Sequence, residues 1–327
     1  MTATTPPGIA DIRRAAERLS GLIVETPLIE SPELNKRFGA RILFKPETLQ
    51  RTGSFKFRGA YNKLSSLSDE QRSRGVVAFS SGNHAQGVAA SAAMFGVKAV
   101  IAMPTDAPAM KVGNVRKMGA EVVPFDRFRD DRMTVVRPYV ERGMVLVPPF
   151  DDPAIIAGQG TIGLELMAQV KALGVRLDAV VVPCGGGGLS SGISIAVKDA
   201  SPDTAVWAVE PEHFDDTCRS LARGVRVSIE PGHTSICDAL LTAEPGAITF
   251  EINRKNLAGA IAVSDRAAAQ AMRDAMAHLK LVVEPGGSVA LAALSSGEIE
   301  LSGKCVAVVL SGGNVDFGTY AEIMAAA

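Results

Sequence analysis

Apolar runs of seven to nine residues alternate along the chain with longer stretches in which apolar positions recur at helical spacing. The short runs are "RILFKPE" (41–47), "GVVAFSS" (75–81), "VKAVIAMP" (97–104), "AEVVPFD" (120–126), "DAVVVPC" (178–184), "AVWAVEP" (205–211) and "KCVAVVLSG" (304–312), and they predict strands. The stretches at 83–96, 111–119, 157–174, 189–200 and 265–279 predict helices. Strand–helix alternation of this kind predicts an α/β fold of open, mostly parallel twisted sheets flanked by helices. The βα units of residues 74–146 read as a small inserted domain, and residues 1–73 with 147–327 as the large one. Inside the small block, "DRFRDDRMTVVRPYVERG" has no regular period, and no fixed-period repeat or low-complexity linker occurs.

Composition narrows the function. Of 327 residues 47% are hydrophobic and 21% charged, a mix that suits parallel strands buried on both faces. Thirty-four Lys and Arg balance thirty-five Asp and Glu, so no basic surface argues for nucleic acid or an anionic membrane. The four cysteines (Cys184, Cys218, Cys237, Cys305) form no C-x-x-C pair, which points to a reducing, cytoplasmic setting. The N-terminus lacks the pattern of a signal peptide, and the apolar runs are of strand length. A small molecule is the expected partner.

Three strands end in polar loops, where ligands of open α/β sheets bind. "PCGGGGLSSG" places Gly185, Gly186, Gly187 and Gly188 before a helix opening at Leu189, a backbone cradle for a phosphate at a helix N-terminus. No Lys-Ser/Thr follows, so it is not a P-loop. The spacing Gly185-x-Gly187-x-x-Ser190, with Glu210 ending the next strand, leaves a dinucleotide site as a rival. "SSGNHAQG" brings Ser80, Ser81, Asn83 and His84 to another helix start, more polar groups than an N-cap requires and suited to a carboxylate. "LSGGNVD" sets Ser311 at the tip of the last strand. Finally, "RTGSFKFRGA" holds Lys56 between Phe55 and Phe57. Desolvation lowers a lysine pKa and makes the amine a nucleophile for Schiff-base chemistry. A phosphate cradle, a carboxylate cradle, a strand-tip serine and such a lysine together fit pyridoxal 5′-phosphate, whereas a nicotinamide cofactor has no use for the lysine.

The sequence resembles the fold-type II pyridoxal-phosphate enzymes, in the branch of serine/threonine dehydratases and serine racemases. The likeness runs through "TPLIESPELN", "FKPETLQRTGSFKFRGA", "SSGNHAQG", "AGQGTIGLE", "PCGGGGLSSG", "VEPEHFDD", "VEPGGSVALAAL" and "LSGGNVD". It implies Lys56 as the Schiff-base lysine beside Phe55, and Ser81 as the acid/base on the opposite face. It implies Asn83 at the cofactor's phenolic oxygen, with Ser80, Ser81, Asn83 and His84 around the substrate carboxylate. Backbone N–H groups of Gly185, Gly186, Gly187, Gly188 and Leu189 would hold the phosphate, Ser311 the pyridine nitrogen, and Glu284 would neighbour the ring.

The same resemblance implies a divalent cation, Mg2+ or Ca2+, on Glu210, Asp216 and the carbonyl of Phe214, all oxygen donors. It sets Arg132 near the substrate entrance. The implied reaction is dehydration and deamination of a β-hydroxy amino acid, L-threonine to 2-oxobutanoate or L-serine to pyruvate, with ammonia. Serine racemase and 3-hydroxyaspartate dehydratase are the alternatives within this chemistry; a non-catalytic cofactor- or nucleotide-binding protein is the alternative outside it. An arginine in the pocket, Arg129 or Arg132, would favour 3-hydroxyaspartate. Relatives imply a homodimer. With few residues after Asn314, no C-terminal regulatory domain and no inhibition by isoleucine are expected.

Overall fold

The computed structural model describes residues 5–127 and 129–326. Its strands are β1 (Arg41–Pro46), β2 (Val76–Phe79), β3 (Ala99–Pro104), β4 (Glu121–Phe125), β5 (Val145–Leu146), β6 (Ala179–Pro183), β7 (Ala205–Pro211), β8 (Gly259–Val263) and β9 (Cys305–Leu310). They form one five-stranded sheet in the order β1-β9-β6-β7-β8 and one four-stranded sheet in the order β4-β3-β2-β5. Every pairing within these sheets is parallel.

Alternation along each strand sends side chains to opposite faces, and both faces are covered. In β9, Val306, Val308 and Leu310 pack toward the helix Pro285–Ala292, with Val289 and Leu291 facing them. Ala307 and Val309 pack the other way, onto Ile162 and Leu166 of the helix Pro153–Ala172 and Ile193 and Val197 of the helix Gly188–Ala200. The smaller sheet buries Val76, Ala78, Ile101 and Met103 against Val88 and Ala92 of the helix Asn83–Phe95. Ala60, Leu64 and Leu67 join that same core. The helix Lys56–Ser65 therefore shares the smaller sheet's core, packed between the helices Asn83–Phe95 and Pro153–Ala172, although its sequence precedes that sheet.

A buried ionic quartet pins that helix. Arg58, fully buried, donates to both carboxylate oxygens of buried Glu47 at 2.7 and 2.8 Å and to both of Glu165 at 2.5 and 2.9 Å. Buried Lys45 donates to Glu165 at 2.8 Å. Two cations and two carboxylates balance, and mutual hydrogen bonds offset their desolvation. Just before the helix, Ser54 bridges Gly312, and the Phe55 N–H donates to the Ser311 carbonyl at 3.1 Å.

Three expectations change. The stretch read as irregular contains a helix, Arg132–Glu141; Asp131 caps it by accepting from the N–H groups of Met133 and Thr134, and Val136 is buried beneath it. Charge at its start and Pro138 within it hide the apolar period. The helix expected from residue 157 begins at Pro153, because Asp152 accepts from Ala154 and Ile155 and proline suits the first helical position. β5 and β8 were not anticipated, one being two residues long and the other the Ala-rich "GAIAV". Among the described residues no helix is long and apolar enough to cross a membrane.

Candidate active site

The carboxyl ends of β2, β6 and β9 open on one cavity of about 540 Å³ between the two sheets. Phe55, Lys56, Ser80, Ser81, Asn83, His84, Gly185–Gly188, Leu189, Glu284 and Ser311 all line it. The three loops singled out from the sequence thus converge with Lys56 at the place where open α/β sheets bind ligands.

Lys56 opens its helix and is half-buried on the cavity wall. Its Nζ donates to the Pro149 carbonyl at 2.8 Å and stands 5.0 Å from the centre of the Phe55 ring. Desolvation lowers its pKa to about 8, while the charge of Glu284 works in the opposite direction. No carboxylate pairs with it directly among the described residues.

Across the cavity, Asn83 is buried; its Nδ2 donates to Glu284 Oε1, and its Oδ1 accepts from Asn314 at 2.8 Å. Asn314 also donates to the Thr52 carbonyl at 2.7 Å, which ties the Ser311 loop to the turn before Lys56. Burial pushes Glu284 up to about 7 against the pull of Lys111, and its Oε2 accepts no hydrogen bond. Ser80 and Ser81 are half-buried, and Ser80 Oγ accepts from the Gly82 N–H. His84 is buried, and its Nε2 faces the Val147 carbonyl at 2.9 Å. A carbonyl only accepts, so Nε2 carries the proton and Nδ1 is a bare acceptor without a partner. Burial first, then the Lys56 charge, lowers the His84 pKa to about 3. The ring is neutral, so donation to a substrate carboxylate falls to Ser80, Ser81 and backbone N–H groups.

The glycine loop is shaped from below. Gly187 has φ of 92°, and a Cβ on Gly186 would stand 2.4 Å from carbons of the Phe150 ring. Only glycine fits either position. Thr249 Oγ1 donates to the Gly186 carbonyl at 2.6 Å, and Asp151 caps the Thr249 helix through the N–H groups of Ala247 and Ile248. The first-turn N–H groups of the helix Gly188–Ala200 have no intrahelical acceptor and can take an anion.

The residues therefore fit pyridoxal phosphate on structural grounds: an amine of lowered pKa, an anion cradle that side chains would fill, and the buried Glu284 Oε2 beside Asn83, which accepts no hydrogen bond. Residues 19–312 match the family model described as "Pyridoxal-phosphate dependent enzyme". The chain belongs to that family. This enzyme is 45% identical over 315 residues to the L-threo-3-hydroxyaspartate ammonia-lyase of Pseudomonas sp, covering 96% of this chain and 97% of that protein. It is 42% identical to the L-threonine ammonia-lyase of Thermotoga maritima, over 97% of this chain and 78% of the relative. The solved structure of maize serine racemase superposes with a TM-score of 0.91 at 36% identity, covering 98% of this chain and 97% of that one. The enzyme is thus a fold-type II pyridoxal-phosphate enzyme of the ammonia-lyase and serine racemase branch.

At the rim of the enzyme's cavity, Arg132 lies with its guanidinium carbon 4.9 Å over the Phe79 ring. No carboxylate lies within ion-pair distance of it among the described residues, whereas Arg127, also on the wall, is bound to Asp106 at 2.8 Å. Arg129 is 86% exposed and pairs with Asp126 instead.

Glu210 and Asp216 lie buried at the end of β7. Glu210 accepts from the N–H groups of Thr217 and Cys218 at 3.0 and 2.9 Å. Both carboxylate oxygens of Asp216 are buried without a partner. Burial, then the charge of Asp216, holds the Glu210 pKa well above the carboxylate range; burial lifts Asp216 to about 8. Phe214 is buried in the turn between them. The unpartnered oxygens of Asp216, crowded against Glu210, fit a hard cation, although among the described residues no group of three His, Cys, Asp or Glu side chains gathers there.

Several residues at this site were not singled out from the sequence: Lys111, Asp238, Asn314, Phe150 and Asp151. The one signal available was Lys111, a cation on the same helix face as buried Val115 four residues later.

Proposed function

We propose that this enzyme dehydrates and deaminates a β-hydroxy amino acid carrying a second carboxylate, 3-hydroxyaspartate, to oxaloacetate and ammonia. The observation that carries this reading is Arg132: an arginine at the cavity rim, stacked on Phe79, with no carboxylate of the described residues within ion-pair distance. An unpaired guanidinium recognises a carboxylate, and the β-methyl of threonine or the β-hydrogen of serine offers it nothing. The relative from Pseudomonas sp, named as a hydroxyaspartate ammonia-lyase, agrees.

Bound pyridoxal phosphate supplies an electron sink for the substrate's α-carbon. In this reading Lys56 would anchor the cofactor and carry the substrate's α-proton on its Nζ; a pKa of about 8 leaves the amine a usable neutral fraction near pH 7. Gly185 to Leu189 would hold the phosphate, Ser311 would meet the pyridine nitrogen without giving it a charge, and Asn83 would hold the ring oxygen. Ser80 and Ser81 bind the α-carboxylate, and Ser81 is the group that faces the α-carbon from the side opposite Lys56. A divalent cation, Mg2+ or Ca2+, on Glu210, Asp216 and the Phe214 carbonyl stabilises the fold and stays outside the chemistry.

We read residues 74–146 as the inserted small domain, with a shared core through Ala60 and Leu64. The exposed Phe317, Val282, Met276 and Leu49 support a homodimer face, and four free cysteines support a cytoplasmic setting.

The test is release of keto acid and ammonia from 3-hydroxyaspartate, L-threonine and L-serine by wild type and Arg132→Gln. The expected result is preference for 3-hydroxyaspartate, with kcat/KM for it lowered about 10- to 100-fold in the variant and threonine turnover unchanged. Preference for threonine in the wild type overturns the reading. Exchange of the α-proton without keto-acid release marks a racemase.

A further inference from the structure

Lys111, on the helix Ala109–Lys117 of the smaller sheet's layer, is 3% exposed and lines the cavity. Its stem crosses the "SSGN" loop directly at Gly82, where a Cβ would stand 2.8 Å from Lys111 Cδ and 3.1 Å from Nζ. The ammonium reaches the opposite side of the cleft. There it donates to Asp238 Oδ2 at 3.0 Å and lies 3.8 Å from Glu284 Oε2. Asp238 and Glu284 flank the larger sheet's core, through Leu240 and Val283. Burial works against the ammonium's charge, but Glu284 and Asp238 outweigh it and the Lys111 pKa is raised. Two carboxylates claim the cation, so it is not free to bind a phosphate or a substrate carboxylate. Glu284 in turn holds the Asn83 amide.

We propose that Lys111 is a positioning residue, an ammonium latch across the cleft that clamps residues 80–83 and holds Glu284 in place, so that Asn83 stands at one fixed distance from the cofactor ring. The inference rests on the reading that Asn83 and Glu284 face that ring. Glycine at 82 follows from it: the position is bare because the latch passes over it. The groups facing Glu284 are Lys111, Asp238, Asn83 and Lys56; Lys111, the Asn83 hydrogen bond and Lys56 favour its charged form, against burial and the charge of Asp238. Removing Lys111 therefore moves Glu284 titration to higher pH.

The experiment is a double-variant cycle on the holoenzyme with Lys111→Met, which keeps the stem over Gly82, and Glu284→Gln. Turnover, the pH profile of bound-cofactor absorbance and the thermal midpoint are read for each. Each single variant is expected to lower kcat/KM about 10- to 100-fold, the scale of a small misplacement at a reacting centre. The double variant should be no worse than the worse single one. Lys111→Met should also shift the absorbance profile to higher pH, and Lys111→Arg should restore it in part. Losses that multiply, with an unshifted profile, overturn the proposal. If Lys111→Met does not fold, Asp238→Asn, which frees one end of the latch, replaces it in the cycle with Glu284→Gln: the losses should again not multiply, and the profile should move to lower pH, because the Asp238 charge raises the Glu284 pKa. Failure of the underlying reading looks different: Glu284→Gln alone then leaves both spectrum and turnover at wild-type values.

Discussion

Capture of pyridoxal phosphate by Lys56 should follow an amine of unusually low basicity. At pH 7 an amine of pKa about 8 is neutral about 9% of the time, and an ordinary lysine at 10.5 about 0.03%, a difference of about 300-fold in reactive form. The cause is desolvation against the Phe55 side of the cavity, opposed by Glu284. The assay mixes apoprotein with pyridoxal phosphate in a stopped-flow instrument from about pH 6 to about pH 10. Adduct absorbance is followed near roughly 410–420 nm. The rate should climb as the ammonium loses its proton, bend at about pH 8 and then level. Glu284→Gln is the perturbation that isolates the cause. Glu284 favours the charged amine, so removing its carboxylate should move the bend to lower pH. A rate that keeps rising toward pH 10 in the wild type refutes the desolvation argument. A bend that moves upward in Glu284→Gln refutes the assigned sign.

Gly186→Ala sets a methyl 2.4 Å from the Phe150 ring, and such overpacking costs about 1–3 kcal/mol; cofactor affinity by absorbance titration should fall about 10-fold or more, and unchanged affinity would deny the loop its role. Glu47→Gln leaves the buried quartet with an uncompensated positive charge beside Arg58 and should lower the free energy of unfolding in denaturant by about 3–5 kcal/mol. A loss below about 1 kcal/mol shows that the quartet relaxes or admits water. Calcium or magnesium should raise the thermal midpoint of the wild type, and Asp216→Asn, which removes an unpartnered buried carboxylate, should abolish that response. A response that persists in the variant places the cation elsewhere.

Much of the site was legible because it lies on contiguous loops. Gly185–Gly188 and the "SSGN" loop each carry their chemistry within a few residues, immediately after an apolar strand, and strand ends are where such sheets bind. Lys56 was legible from its two phenylalanines, one of which, Phe57, is fully buried. Lys111 was not, because its partners Asp238 and Glu284 lie more than a hundred residues away and a lysine in a helix ordinarily reads as a solvated one. Arg132 was placed near the entrance by the resemblance alone, because the stretch around it read as irregular; the cap supplied by Asp131 makes it the first residue of a helix.

Local order thus determined which elements form and which loops carry polar groups, since strand length, capping and glycine runs act over a few residues. Alternation of β and α units also determined that the sheets would be parallel. The tertiary structure alone decided that the Lys56 helix joins the smaller sheet's core and that His84 faces the cavity as a neutral acceptor. It also decided that Glu210 and Asp216 crowd one another in a buried turn. Each of these is a matter of desolvation and of charges brought together across the chain, and both depend on distances that only the folded chain defines.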